Sequence, residues 1–249
     1  MIAFRLQQEP KTPGSILMAQ DHDLLERAER GECGPVLRFY EWEQPTISLG
    51  FHQNDESLDR EQLAAAGVPW VRRPTGGAAV LHSEELTYAV ILPIGVQAGE
   101  STLVQEFVAR AIARGLRDVG VAADVDERGE PLSALPNRVS CFVRTSRWEV
   151  TARGRKLVGS AQRKLTRAIL QHGSILTGDD HLRIVQFLRV KDDASRSLLR
   201  ARLESKSTSV SQELGRTIEP SDLREAMARN FTEVFAAFHL PAPANAVGY

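Results

Sequence analysis

A chain of 249 residues holds one large domain, or one domain with a small appendage. Lys plus Arg (31) nearly cancels Asp plus Glu (32), leaving a net charge of −1 and no global basic field of the kind nucleic-acid binding needs. The two cysteines, Cys33 and Cys141, are too few for a disulfide framework and too scattered for a structural zinc site. Their scarcity suits a reducing compartment. Met1 to Pro10 carries Arg5 and Glu9 and lacks a signal-like apolar core, and no apolar run approaches the ~20 residues of a membrane span, so the expectation is a cytoplasmic protein.

In chain order, Ile16 to Glu29 reads as a helix, introduced by Pro13-Gly14-Ser15 and stopped by Gly31. Val36 to Tyr40 is a strand, and extended structure resumes after Pro45 over Thr46 to Gly50. Leu58 to Ala66 is helical and Val68 to Arg72 strand-like. Pro74 to Gly77 is a turn between strands, with Ala78 to Leu81 and Leu86 to Leu92 following. Apolar residues at a helical repeat mark Thr102 to Val119, capped by Gly120. Gly129 to Ser140 is loop-like. Trp148 to Ala152 and Lys156 to Ser160 flank Arg153-Gly154 as a hairpin, and Ala168 to Leu176 is a further strand. From His181 the signal is helical, over Leu182 to Leu188, Ala194 to Leu203 and Ser221 to Phe238. Strands in the middle with helices at front and back predict an α+β fold with a mixed or antiparallel sheet. The core is expected over 1–180, with a helical C-terminal extension, 181–249, packing on it.

Four segments carry residues fit for chemistry. In Arg72-Arg73-Pro74-Thr75-Gly76-Gly77-Ala78, glycines let backbone N–H groups face a ligand oxygen, and the arginines supply charge for a carboxylate or phosphate. His82 lies one strand length away. On pattern alone, a hairpin turn with surface arginines and a packed histidine is favoured. Lys156, between a turn and an apolar strand, can hold its ammonium near an oxyanion; taken alone it reads as an exposed lysine, and Arg153 to Lys156 as a solvated basic run. Cys141 offers a thiol suited to attack on a thioester, provided positive charge or a base among His82, Lys156 and Arg73 favours the thiolate. A buried, inert cysteine is the default for such a residue. Cys33, in a turn with no base nearby in sequence, is given no role. Gln171 and His172 are polar inside an apolar strand, and His172 reads as structural.

Together these segments resemble the lipoate–protein ligase and lipoyl/octanoyl transferase superfamily, which shares its core with biotin–protein ligases. The resemblance rests on Met18-Ala19 with Asp21, on Leu37 to Trp42 and Ile47 to Gly50 followed by Gln53, on Arg72 to His82, on Lys156, on Gly159-Ser160-Ala161-Gln162 and on His172-Gly173, in that order. Cys141-Phe142, His82 to Tyr88, and a tail with Ser207 to Val210 and Leu214 to Arg216 are most similar to the cysteine-dependent octanoyltransferases of the LipM kind. Ala78 stands where ligases usually carry glycine, and its methyl would crowd an acyl-adenylate. The chain is also short for the accessory domain of many ligases.

The resemblance implies an acyltransferase. Acyl carrier protein delivers octanoyl or lipoyl along an apolar tunnel between sheet and helix to Cys141, and a lysine of a lipoyl domain or glycine-cleavage H protein receives it. Lys156 assists. Arg73, Thr75, Gly76, Gly77, Ala78, His82, Gly159 and Ser160 line the substrate. It further implies a monomer with no metal, ATP, nucleic acid or membrane partner. The alternatives are an ATP- and Mg²⁺-dependent lipoate ligase forming lipoyl-AMP, and a non-catalytic lipoyl-domain binding protein.

Overall fold

Alternation along three central strands decides which residues meet. In a computed structural model, described over residues 2–94, 100–128, 142 and 147–237, β1 (Arg5–Gln8) precedes α1 (Gly14–Glu29), β2 (Val36–Tyr40) and β3 (Thr46–Leu49). A 3₁₀ turn at Asp55–Ser57 leads to α2 (Arg60–Ala65), β4 (Trp70–Arg72), β5 (Val80–His82) and β6 (Glu85–Pro93). Then come α3 (Glu100–Asp118), β7 (Ala123–Asp126), β8 (Glu149–Ala152), the two-residue β9 (Arg155–Lys156), β10 (Val158–Lys164) and β11 (Ala168–Leu176). A 3₁₀ helix at Asp180–Gln186 is followed by α4 (Asp193–Lys206), α5 (Val210–Leu214) and α6 (Pro220–Ala236).

The main sheet has the order β1-β2-β6-β11-β10, with β1 parallel to β2 and the other pairs antiparallel. A three-stranded sheet, β4-β3-β5, lies beside it, with β4 parallel to β3. A third, β7-β8-β9, is antiparallel. This is the mixed α+β architecture that the sequence predicts.

Side chains of successive strand residues point to opposite faces. Leu37 and Phe39 of β2, Tyr88, Val90 and Leu92 of β6, and Ile169 and Ile175 of β11 face α3 and α6 in the largest apolar cluster. Phe231 and Phe235 of α6 pack there too, so the last helix forms part of the main core. The opposite parity, with Val36, Ala89, Ile91, Ala168 and Leu170, faces Leu17, Leu24 and Leu25 of α1. A third cluster joins β3 and β5 to the 3₁₀ helix and α4.

Four elements depart from the sequence reading. Strands β1 and β7 were not expected: Arg5–Gln8 and Ala123–Asp126 are short edge strands with little apolar periodicity, and sheet pairing defines them. The region from Leu182 is 3₁₀ helix, and α5 adds a helix where none was expected. The expected loop from Gly129 to Ser140 lies outside the described residues.

Candidate active site

On the α1 face of the main sheet, register aligns two rows of side chains. Arg38, Ala89, His172 and Ala161 are successive cross-strand partners, as are Tyr40, Thr87, Ser174 and Gly159. Small residues at 89, 159 and 161 leave room for the polar ones between them. Burying Arg38 and His172 is costly unless they are paired, and α1 supplies the partner. Asp21, fully buried, accepts from Arg38 and from the Tyr40 hydroxyl at 2.8 Å. His172 Nδ1 lies 3.3 Å from the Asp21 carboxylate, and its Nε2 lies 2.7 Å from Thr75 Oγ1. These partners assign a neutral tautomer, with Nδ1–H donating to Asp21 and the Thr75 hydroxyl donating to Nε2. Burial pushes His172 below the ordinary imidazole value, outweighing the pull of Asp21. The histidine expected to be structural thus ties α1 to the glycine loop and also lines the cleft.

A second network holds that loop from the other side. Arg73 is 2 % exposed, so the surface-arginine reading does not hold for it. Its guanidinium donates to the carbonyls of Ser48, Gly76 and Ala78 at 2.7–3.1 Å and to Ser48 Oγ at 3.1 Å. The same guanidinium that lines the cleft thereby also shapes the loop. Gly77 sits at φ +95°, and a Cβ on Gly50 would lie 2.0 Å from its carbonyl oxygen, so two chain segments touch backbone to backbone. Arg72, by contrast, is exposed.

Ser48 Oγ lies 2.7 Å from His82 Nε2, while His82 Nδ1 lies 2.7 Å from Glu85 Oε1. The His82 ring stacks on Trp42 at 3.9 Å between centroids, and Trp42 Nε1 donates to Thr87 Oγ1 at 2.9 Å. Burial alone would raise the Glu85 carboxyl, but His82 and the hydroxyls of Thr87 and Ser174 hold it below the usual carboxylate range. The networks floor a narrow cavity of about 20 Å³, lined among others by Trp42, Arg73, His82, Gly159, Ser160 and His172. Tyr88, whose hydroxyl meets Ser160 Oγ at 2.7 Å, is pushed up to about 12 by burial.

Beyond Ser160 a larger cavity of about 430 Å³ opens, lined by Gly76, Gly77, Ser160 and Glu149. Lys156 is 2 % exposed, which corrects the exposed-lysine reading. Thr151 of β8 faces it across the ladder, so Glu149, two residues back, is its diagonal neighbour on the same face. Lys156 Nζ donates to Glu149 Oε1 at 2.6 Å and stands 5.6 Å from the Phe142 ring centroid. That ring fills the space a Cβ on Gly159 would need, at 2.9 Å. It also lies 5.5 Å from the His181 ring, whose Nε2 meets Ser207 Oγ at 2.7 Å.

The expected site residues therefore gather in two adjoining places. Arg73, His82, Gly159 and Ser160 line the narrow cleft, with Thr75 bonded to one of its walls; Gly76, Gly77 and Ser160 line the larger cavity with Lys156 behind Glu149. Ala78 contributes its carbonyl to Arg73. Cys141 lies outside the described residues; Cys33 is half-buried and its thiol faces the Leu24 carbonyl at 3.7 Å. Sequence reasoning gave no role to Ser48, Glu85 and Glu149, although the first two fall within segments that carry the resemblance and the third is a charged residue in a short strand.

Two buried histidines give the molecule an acid-sensitive stability. Burial lowers both His172 and His181 from 6.5, so the unfolded chain takes up protons first as pH falls below about 6.5. Stability contributed by the neutral rings is complete above that value and drains away below it. Urea midpoints should fall between pH 7.5 and 5.5, and His172→Gln should flatten part of the slope; a wild-type midpoint unchanged over that interval would contradict the assignment.

The fold and its loop-floored cleft define a class. Residues 14–232 match the model of the lipoyl protein ligase A/B catalytic domain, and the chain belongs to that family. Among curated relatives it is similar to octanoyltransferase LipM of Kyrpidia tusciae, 36% identical over 243 residues, covering 95% of this chain and 89% of the relative. The enzyme of the same name from Moorella thermoacetica is 36% identical over 232 residues, covering 90% and 83%. In structure the chain is similar to a bipartite lipoate protein ligase from Thermoplasma acidophilum, with a TM-score of 0.75 at 22% identity over 97% of this chain and 87% of that one. No helix among the described residues is long and apolar enough to cross a membrane.

Proposed function

We propose that the protein is a protein octanoyltransferase working through a thioester on Cys141. The octanoyltransferase relatives support protein octanoylation, and a lipoyl-domain protein is the acceptor class that goes with it. Acyl carrier protein is the proposed donor, and glycine-cleavage H protein a further acceptor. The observation that carries the mechanism is the packing of Phe142, the chain neighbour of Cys141, between Gly159 and the buried Lys156 ammonium.

The Cys141 thiolate attacks the carbonyl of the donor thioester. The tetrahedral oxyanion is stabilised by the Lys156 ammonium and by backbone N–H groups of the glycine loop, which add charge where it develops. The carbon–sulfur bond to the carrier breaks, and the carrier leaves as a thiolate that takes a proton. The neutral amine of the acceptor lysine then attacks the acyl-enzyme. An amide forms, the Cys141 sulfur departs, and the ammonium proton of the intermediate passes to it or to solvent. An acyl group already activated as a thioester needs neither ATP nor a metal for this exchange, and conversion to an amide drives the second half.

Incubation with octanoyl carrier protein should give a hydroxylamine-sensitive mass increase of one octanoyl group, mapping to Cys141. Modification of the acceptor only with free acid, ATP and Mg²⁺, and no enzyme adduct, would replace this reading with that of an adenylate-forming ligase.

A further inference from the structure

One surface feature is not used by the chemistry above. A hollow of about 500 Å³ lies outside the glycine loop, between α1 and β4. Phe51 and Trp70 line it, 42% and 37% exposed, and a third exposed apolar side chain, Ile16, follows Ser15 of the lining on the same helix. These are three of the six most exposed large apolar residues among those described, and such clustering marks an interaction site. Its charge is one-sided. Arg72, Arg73 and Arg163 line it and, among the described residues, no carboxylate does, although the whole chain carries a net charge of −1. Arg163 lies 4.3 Å over the Phe51 ring and donates to the Pro74 carbonyl at 3.0 Å, and Arg60 stands 5.9 Å over Trp70. Arginine and aromatic side chains together are the usual anchors of a protein interface.

We propose that this hollow docks the acidic face of the protein domain that presents the acceptor lysine. Arg73 lines both the hollow and the inner cleft, so one loop separates them. A lysine reaches inward only on a four-carbon stem, and its domain must seat directly against that wall. A carrier that presents its acyl group on a long flexible thiol arm is under no such constraint. The arginines, with no carboxylate beside them among the described lining residues, favour an acidic partner face, and the exposed rings favour one that also carries an apolar side chain. The proposal rests on the transferase reading for the identity of its partner.

The test titrates an isolated lipoyl domain against wild type, Trp70→Ala and Arg163→Glu, with direct binding measured calorimetrically at two salt concentrations. The two half-reactions are measured separately, with octanoyl carrier protein as donor. Each variant should weaken lipoyl-domain binding by about tenfold or more, and Arg163→Glu should also reduce the salt dependence, while acylation of the enzyme by the carrier keeps its rate. Unchanged lipoyl-domain binding in both variants overturns the proposal. So does a loss confined to the carrier half-reaction, which would make the donor the occupant. If no acyl-enzyme forms at all, the transferase reading fails, and the calorimetric titration still decides the docking surface. Unaltered thermal unfolding of Trp70→Ala guards against a misfolded variant.

Discussion

Cys141→Ala should abolish octanoyl transfer, with the rate falling to the uncatalysed background and no acyl adduct detectable by mass. A hydroxyl is a poorer nucleophile than a thiolate toward a thioester, so Cys141→Ser should retain only a trace of activity. Cys33→Ser is the matched control. Its thiol makes one long contact, to the Leu24 carbonyl at 3.7 Å, on the α1 side of the sheet. That variant should transfer within about twofold of wild type, since a free cysteine packs as a small apolar group. Equal activity of Cys141→Ala and wild type would remove the acyl-enzyme from the mechanism.

Lys156→Met should show two separable losses. The first is in stability. Both members of the Lys156–Glu149 pair are buried, and taking away the ammonium strips a buried carboxylate of its partner, at a cost of about 3–5 kcal/mol. The second is in rate. Removing one donor aimed at a developing oxyanion costs about 10²–10³-fold. The double variant Lys156→Met/Glu149→Gln separates them. It replaces the ion pair with neutral groups of similar shape and should recover most of the stability, whereas octanoyl transfer should stay as slow as in the single variant. Urea unfolding and single-turnover kinetics on the same three proteins read both quantities. Recovery of the rate along with the stability would make Lys156 a packing residue and leave catalysis to other groups.

These expectations differ in how far the sequence carries them. Strands Val36–Tyr40 and Ala168–Leu176 match their expected bounds, because short, largely apolar runs of strand length, buried on both faces, dominate local preference there. The helices α1, α3, α4 and α6 were legible from their apolar repeat and their Pro and Gly punctuation. Order of motifs pointed to the family, and the residue types at 73, 82, 141 and 156 suggested the chemistry proposed above.

What the sequence could not supply was environment. Arg73 and Lys156 each read as solvated cations from their neighbours, yet both are 2 % exposed, because their partners come from elsewhere in the chain: Ser48 lies 25 residues from Arg73, and Glu149 sits diagonally across a ladder from Lys156. The bond from Thr75 to His172 spans 97 residues, and that from His172 to Asp21 spans 151. Local periodicity determined which residues share a face of a strand. Only the register of the strands, and the helix laid across them, decided which charged groups would be buried together; pairing energies depend on distances between groups that propensity along the chain does not encode.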